Sequence, residues 1–192
     1  YGRSRGLGDV YKRQGTNRED VESDKIWTRG VIFNSEITSP SNYRALLHLD
    51  AWLKKNKIVG ITGLDTRSLT NFIRDKGAPK GTIAYSKNGK FNVSKLTNST
   101  IKWSGLKNLD LAETVTTPKN YIWKGLQTWK KEIGYKKNKK NLFHVVAIDY
   151  GIKKNILRYF SDFKCKVTVV SCKTSAEKIL DLKPNGIFLS NG

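Results

Sequence analysis

The fold is decided by the stretch Phe143–Asp149, FHVVAID, and by the turn residues Tyr150 and Gly151 that follow it directly. A continuous apolar run of this length is typical of a strand that is buried on both faces of a parallel sheet. The next residues, 153–162, place Ile156, Leu157 and Phe160 on one side of a helix. The stretch therefore predicts a buried strand that turns directly into a helix.

The same pattern continues to the end of the sequence. We predict a second strand over 165–170, a short helix over 175–182 that Pro184 stops, and a third strand over 186–190. This order of strands and helices is typical of the beginning of an open parallel α/β sheet. The predicted fold class is therefore α/β, with this sheet in the second of two domains.

The first domain is predicted from shorter patterns. Strands are expected over 27–33, 57–61 and 82–85, and helices over 43–55 and from Asp65 or Thr66 to Asp75. The first helix would turn Leu46, Leu49, Trp52 and Leu53 to the core, and the second would turn Leu69, Phe72 and Ile73 inward. Residues 109–117 and 121–129 read as short strands or a helix end. The predicted boundaries are 1–14 for a non-native leader, 15–129 for an N-terminal α/β domain, 130–142 for a linker and 143–192 for the sheet domain.

The composition limits the classes of protein to which the chain can belong. No apolar run approaches the roughly 20 residues that a membrane helix needs, and no secretory signal is present. Two cysteines in 192 residues exclude a disulfide framework and favour a reducing, cytoplasmic setting. The sequence contains no methionine and begins with Tyr1. We therefore expect it to be an internal piece of a longer protein, truncated at both ends.

The chain is strongly basic, with 36 Lys and Arg against 16 Asp and Glu, a formal charge of +20. The densest stretch is 123–140, where Trp123, Trp129 and Tyr135 stand among seven lysines. These aromatic residues could stack on bases beside phosphate-binding lysines, or the stretch could be a solvated linker. The linker is favoured, because most of the basic residues are lysine and no nucleic-acid-binding motif is present.

Ligands of open parallel sheets bind at the carboxyl ends of the strands, here residues 149–151, 171–172 and 190–192. A glycine at such an end can present its backbone N–H to a ligand, although it more often serves the turn alone. Cys172 lacks the flanking glycines of a nucleophile elbow, and Cys165 reads as a buried apolar residue. The remaining candidates, His48 and His144, show no zinc-ligand spacing with the cysteines. The residues alone provide no complete catalytic set and no metal site.

Four motifs together resemble one family. They are residues 15–23 (GTNREDVES), residues 63–77 with the motif DTRSLT, residues 149–156 (DYGIKKNI) and residues 186–192 (GIFLSNG). In this order they resemble the small subunit of carbamoyl phosphate synthase, whose second half is a class I glutamine amidotransferase domain. Another class I amidotransferase subunit, such as one of anthranilate or guanylate synthesis, is the alternative, but those subunits lack the DTRSLT segment. A basic nucleic-acid-binding module is the alternative from another class.

The resemblance implies that the intact protein hydrolyses glutamine in the cytoplasm and passes ammonia to a large subunit. That subunit would use bicarbonate, ATP and Mg to make carbamoyl phosphate for arginine and pyrimidine synthesis, so this chain would need no cofactor. The family's Cys-His-Glu triad has no counterpart in this sequence, so we expect the chain alone to be inactive. Gly192 matches a glutamine-binding glycine of the family. Asp65, Arg67 and Arg74 would cap a helix, pair with acidic neighbours or lie at the subunit contact, and would not be catalytic.

Overall fold

The computed structural model describes residues 15–106 and 109–191. They divide into two compact units. Unit 1 holds residues 15–21 and 25–106. Unit 2 holds Glu22–Asp24 and residues 109–191.

Unit 1 is built on two short parallel strands and three helices. They are β1 (Gly30–Ile32), α1 (Leu49–Lys55), β2 (Val59–Ile61), α2 (Thr66–Lys76) and α3 (Val93–Lys102). Strands β1 and β2 pair in parallel, with Val31 opposite Gly60. The core of the unit consists of Phe33, Leu49 and Leu53, and Val31 and Ile58 pack against it.

The helix predicted over 43–55 is shorter than expected, since α1 begins at Leu49 with His48 as its N-cap. Residues 43 and 44 form a turn, and the N–H groups of Leu46 and Leu47 then donate to the carbonyl oxygen of Thr16 instead of to a helical carbonyl. Leu46, predicted to face the core, is therefore exposed. The strand predicted over 82–85 does not form. The hydroxyl of Thr82 instead lies 2.5 Å from that of Thr100 in α3.

Helix α2 has the predicted start but not the predicted environment. The Asp65 carboxylate accepts hydrogen bonds from the N–H groups of Arg67 and Ser68, as expected of an N-cap. However, Phe72 is 50% and Ile73 is 41% exposed, so the prediction that they face inward is wrong. Helical periodicity identifies an apolar side of a helix, but it does not supply the residues that would cover it.

Unit 2 contains a four-stranded sheet, a hairpin and three helices. They are α4 (Leu111–Val115), β3 (Tyr121–Ile122), β4 (Leu126–Lys130), β5 (Gly134–Lys137), β6 (Phe143–Asp149), α5 (Lys154–Asp162), β7 (Cys165–Ser171), α6 (Ala176–Asp181) and β8 (Gly186–Leu189). The strand order in the sheet is β3-β7-β6-β8, with β6 parallel to both β7 and β8 and β3 antiparallel to β7. The predicted α/β class and the parallel sheet are confirmed.

Strands β6 and β7 are buried on both faces, as the apolar runs predicted. One face contributes Val145, Ala147, Val167 and Val169 to a core with Leu157 of α5. The other face contributes Val146 and Val170 to a core with Ile179 of α6. The two helices therefore cover opposite faces of the sheet.

The segment predicted to be a linker, 130–142, is structured over much of its length. Strands β4 and β5 form an antiparallel hairpin with Gly134 at a positive φ of 68°. The hairpin contacts α5 through Thr128, whose Oγ1 donates a 2.6 Å hydrogen bond to Asp162. Unit 2 thus extends well upstream of the boundary predicted at residue 143, and it also takes in Glu22–Asp24. The pattern missed this hairpin because its partner lies in α5, 34 residues away in sequence.

No helix among the described residues combines the length and the apolar character needed to cross a membrane.

Candidate functional site

The carboxyl ends of β6, β7 and β8 lie side by side along one edge of the unit 2 sheet. In the register of the strands Asp149 stands opposite Ser171, and Ile148 stands opposite Leu189. We call residues 149–151, 171–172 and 190–191 the carboxyl edge. Open parallel sheets bind their ligands at this edge.

Asp149 is the most heavily engaged side chain of the carboxyl edge and is only 6% exposed. Its Oδ1 accepts hydrogen bonds from the N–H groups of Gly151 and Ile152, each 2.8 Å long. Its Oδ2 accepts a 2.8 Å hydrogen bond from the N–H of Thr117. A buried carboxylate that accepts three backbone hydrogen bonds has a structural role. Here it connects the turn after β6 to the segment before β3.

Ser190 holds the same turn from the adjacent strand. Its side chain is buried, and its Oγ accepts a 2.8 Å hydrogen bond from the N–H of Tyr150. The same hydroxyl donates to the carbonyl oxygen of Asn191 over 3.2 Å. The first residues after β6 and β8 are therefore joined directly.

Gly151 serves the turn in this structure. Its φ is +110°, a conformation that side-chain-bearing L-residues rarely adopt, and a Cβ placed there would lie 3.2 Å from Val115 Cγ2. Its N–H, considered from the sequence as a contact for a ligand, donates to Asp149 instead. The backbone of Gly151 is consequently not free to bind an anion or a carbonyl oxygen.

The two cysteines occupy opposite ends of β7. Cys165 begins the strand and is buried, and desolvation raises the pKa of its thiol. Cys172 follows the strand and is half-buried, and its N–H donates to Thr116 Oγ1 over 2.9 Å. Neither lies in a nucleophile arrangement, since no hydrogen bond joins a cysteine to a histidine anywhere in the described ranges.

The histidines likewise have structural partners. His144 Nε2 lies 2.8 Å from Thr168 Oγ1 on the neighbouring strand. In unit 1, His48 Nδ1 accepts from the N–H of Asp50 and caps α1. Within residues 15–106 and 109–191, no three His, Cys, Asp or Glu side chains are grouped as ligands for a metal ion.

Residues that the sequence did not single out cover the end of β7. Thr116 and Asn120 accept hydrogen bonds from the N–H groups of Cys172 and Ser171, and Thr117 donates to Asp149. Tyr121 follows directly in β3. Its partial burial, with the negative charges of Asp149 and Asp24, raises its pKa to about 12. Sequence reasoning missed this segment because its contacts with the carboxyl edge span 32 to 56 residues.

The three residues that the sequence singled out in segment 63–77 are Asp65, Arg67 and Arg74, all in unit 1. Asp65 caps α2, and its hydrogen bonds from Ser68 lower its pKa. Arg74 pairs with its neighbour Asp75 over 3.2 Å, and Arg67 is exposed. The cap and one predicted acidic pairing are thus present. Gly192, the predicted glutamine contact, lies outside the described residues and stays a prediction.

Two family models match the chain in the order of its two units. Residues 11–83 match the CPSase domain of the carbamoyl-phosphate synthase small chain, and residues 146–192 match the class I glutamine amidotransferase family. The first match takes in residues 11–14, which were predicted to be part of a non-native leader. A match to the CPSase domain also argues against the alternative of another class I amidotransferase subunit.

Curated relatives agree with these matches. The chain is 49% identical over 182 residues to the carbamoyl phosphate synthase small chain of Bradyrhizobium diazoefficiens. It is 48% identical to that of Agrobacterium fabrum over 183 residues and 49% identical to that of Rhizobium meliloti over 184 residues. Each alignment covers 93% of this chain and 46% of the relative, so the chain spans about half the length of these relatives. The chain belongs to the carbamoyl phosphate synthase small-chain family.

Proposed function

We propose that this chain is part of the glutamine-hydrolysing small chain of a carbamoyl phosphate synthase, and that its carboxyl edge belongs to the glutamine site. In the reaction, water replaces the side-chain nitrogen of glutamine, so that the C–N bond breaks and glutamate and ammonia form. The ammonia would pass to a large chain, which uses bicarbonate, ATP and Mg in the cytoplasm for arginine and pyrimidine synthesis. No cofactor of this chain's own is proposed.

The observation that carries the proposal is the parallel arrangement of β7, β6 and β8, with a level carboxyl edge, in a region that matches the class I amidotransferases. A substrate of an open parallel sheet binds outside this edge. Proposed contacts with glutamine lie immediately after β8, at Gly192. Asp149 and Ser190 would form the rigid base beneath them.

The described residues supply the framework of the site and not its nucleophile. The backbone N–H groups of Tyr150, Gly151 and Ile152 are already bonded to Ser190 and Asp149. Cys172 has no histidine partner, as described above. We therefore propose that the Cys-His-Glu triad of the family comes from residues of the intact protein outside this sequence, and that the chain alone does not turn over glutamine.

A chimera tests the proposal. This chain would be joined to the remaining half of the Bradyrhizobium diazoefficiens small chain and combined with the large chain of that enzyme. Carbamoyl phosphate synthesis would be measured with glutamine and, separately, with ammonium, which does not require glutamine hydrolysis. We expect synthesis with both nitrogen sources, and no glutaminase activity from the 192-residue chain or its Cys172→Ser variant. A chimera that binds the large chain but supports synthesis with ammonium alone would overturn the proposal, as would glutaminase activity that depends on Cys172.

The alternative of a nucleic-acid-binding module receives no support from the hairpin. Trp123, Trp129 and Tyr135 are half-buried, and the Tyr135 ring lies against the guanidinium of Arg158. Base stacking needs an aromatic face that is open to solvent. The lysines of the stretch are exposed, but without stacking residues they form only a positively charged surface.

A further inference from the structure

Helix α5, which follows the turn after β6, has no N-terminal cap of its own. Its N-cap residue is Lys153, whose side chain makes no capping hydrogen bond. The first N–H groups of a helix have no partner within the helix and need acceptors from elsewhere. Of these groups, the N–H of Ile156 donates to the carbonyl oxygen of Lys153, which leaves those of Lys154 and Asn155.

Glu22 supplies both missing acceptors, although it lies more than 130 residues upstream. Its carbonyl oxygen accepts a 3.1 Å hydrogen bond from the N–H of Lys154, and its Oε2 accepts a 2.7 Å hydrogen bond from the N–H of Asn155. Its Oε1 accepts a 2.6 Å hydrogen bond from Arg158 Nη1, one turn further along the helix. A negative charge at this end also interacts favourably with the helix dipole.

The ion pair between Glu22 and Arg158 is partly shielded from water, since the Arg158 side chain is 6% exposed and the Glu22 side chain is 35% exposed. Arg158 is 5% exposed, and its guanidinium lies 4.6 Å from the centre of the Tyr135 ring in the hairpin. Asp24 makes a second contact with the helix through Lys154, but its side chain is 91% exposed. A partly buried pair is screened less by solvent and salt than an exposed one, so we expect Glu22 to contribute more than Asp24.

The contacts of Glu22 continue those that fix the turn. Ser190 holds the N–H of Tyr150, Asp149 holds those of Gly151 and Ile152, and Glu22 holds those of Lys154 and Asn155. We propose that Glu22 is a positioning residue that fixes residues 150–155 at the carboxyl edge from a distant part of the sequence. Its relevance to glutamine rests on the proposed function, whereas its effect on the turn does not.

The proposal is tested with the full chain by amide hydrogen exchange and by NMR of the backbone amides. In the Glu22→Ala variant we expect exchange at Asn155 to rise by about tenfold or more, because its carboxylate acceptor and the helix-end charge are lost. Exchange at Lys154 should rise less, because its acceptor is the backbone carbonyl oxygen of residue 22, which the variant keeps. The amide resonances of Tyr150 and Gly151 should shift, while exchange at Val146 and Val169 stays unchanged. Glu22→Gln should restore part of the protection, since an amide oxygen still accepts from Asn155. Asp24→Asn is the matched control and should resemble the original chain.

Two outcomes would overturn the proposal. If Glu22→Ala raises exchange equally throughout unit 2, Glu22 contributes to general stability and does not position the turn. If it changes exchange no more than Asp24→Asn does, the contacts of Glu22 do not hold α5. The chimera assay reports separately on glutamine use. If the chimera uses glutamine and either of these outcomes is found, only the positioning role of Glu22 is disproved. If the chimera does not use glutamine and exchange changes locally as expected, only the proposed function is disproved.

Discussion

Gly151 combines two features that make its lack of a side chain necessary, a φ of +110° and the close approach of Val115. We expect Gly151→Ala to lower the free energy of unfolding by about 1–3 kcal/mol, because alanine would be strained in this conformation. Urea denaturation followed by circular dichroism measures the change. The matched control is Gly186→Ala, since Gly186 has no positive φ and nothing within 4 Å of the added Cβ. Equal effects of the two variants would contradict this interpretation of the turn.

The two cysteines should differ in their reactivity toward thiol reagents. Burial raises the pKa of Cys165 above its ordinary value of 9.0, so at any pH below that value its thiolate fraction is smaller than that of an unperturbed thiol. Cys172 is half-buried, whereas Cys165 is buried. At pH 8 we expect a chromogenic disulfide reagent to modify Cys172 first. The Cys172→Ser and Cys165→Ser variants assign the fast and slow phases, and a fast phase that survives in Cys172→Ser would disprove the order.

The raised pKa of Cys165 also predicts how the free energy of unfolding changes with pH. A thiol whose pKa is higher in the folded than in the unfolded chain contributes stability that is present below the unfolded value and is lost as the pH rises through the folded one. The loss should therefore begin near pH 9, the ordinary thiol pKa. Cys165→Ala, which cannot ionise, should show a smaller fall in the free energy of unfolding between pH 8 and the alkaline range than the original chain.

At the scale of elements, the hairpin and α5 are joined by Thr128 and Asp162. Thr128 donates to Asp162 from its hydroxyl over 2.6 Å and from its N–H over 3.2 Å. We expect Thr128→Val to lower the free energy of unfolding by about 1–2 kcal/mol, because a half-buried carboxylate loses its shorter hydrogen bond. Chemical denaturation measures it. Thr174→Val is the control, since Thr174 is also half-buried and its hydroxyl makes no hydrogen bond to a described residue. A cost no larger than that of the control would show that the hairpin is held by packing alone.

The elements that the sequence predicted well are those whose signals are local. Strand β6 has the predicted bounds, 143–149, because both of its faces are buried and the apolar run is unbroken. The N-cap at Asp65 is likewise local, because its side chain bonds to Arg67 and Ser68, two and three residues further on. Residues 121–129 were expected to form short strands or a helix end, but the hairpin of β4 with β5 was missed, because its lysines at 130–131 and 136–137 resemble a solvated segment and its other side faces α5. Only the tertiary structure identifies such a partner.

The geometry of the candidate site was predictable from the sequence only where the signals are local. Its position at the carboxyl ends of the strands follows from the β-α-β pattern, and the family resemblance pointed to glutamine. The acceptors that complete it were not predictable, since Thr116, Thr117 and Glu22 act over 32 to 133 residues. Glu22 lies within the GTNREDVES motif, so the resemblance identified the segment but not what the segment contacts.

At the scale of the whole molecule, the formal charge of +20 has a measurable consequence. We expect the chain to bind generic duplex DNA weakly at low salt, and to lose at least about a hundredfold in affinity between 50 and 200 mM salt, because lysine–phosphate contacts release counterions. Fluorescence anisotropy of a labelled duplex measures this. In a variant whose exposed Trp27 and Trp103 are replaced by phenylalanine, the tryptophan emission should not change on binding, since Trp123 and Trp129 are half-buried.

Two sets of lysine-to-glutamine changes determine whether the hairpin is a dedicated site or one part of a diffuse charge. The hairpin set is Lys130, Lys131, Lys136 and Lys137, and the matched unit 1 set is Lys76, Lys87, Lys90 and Lys95, all of which are exposed. A diffuse charge predicts similar losses of affinity, because each set removes four positive charges and the attraction depends on the sum. If only the hairpin set abolished binding, and the original chain retained its affinity at 200 mM salt, the stretch 123–140 would be a nucleic-acid site after all. Equal losses would show that the hairpin lysines are one part of a diffuse positive charge.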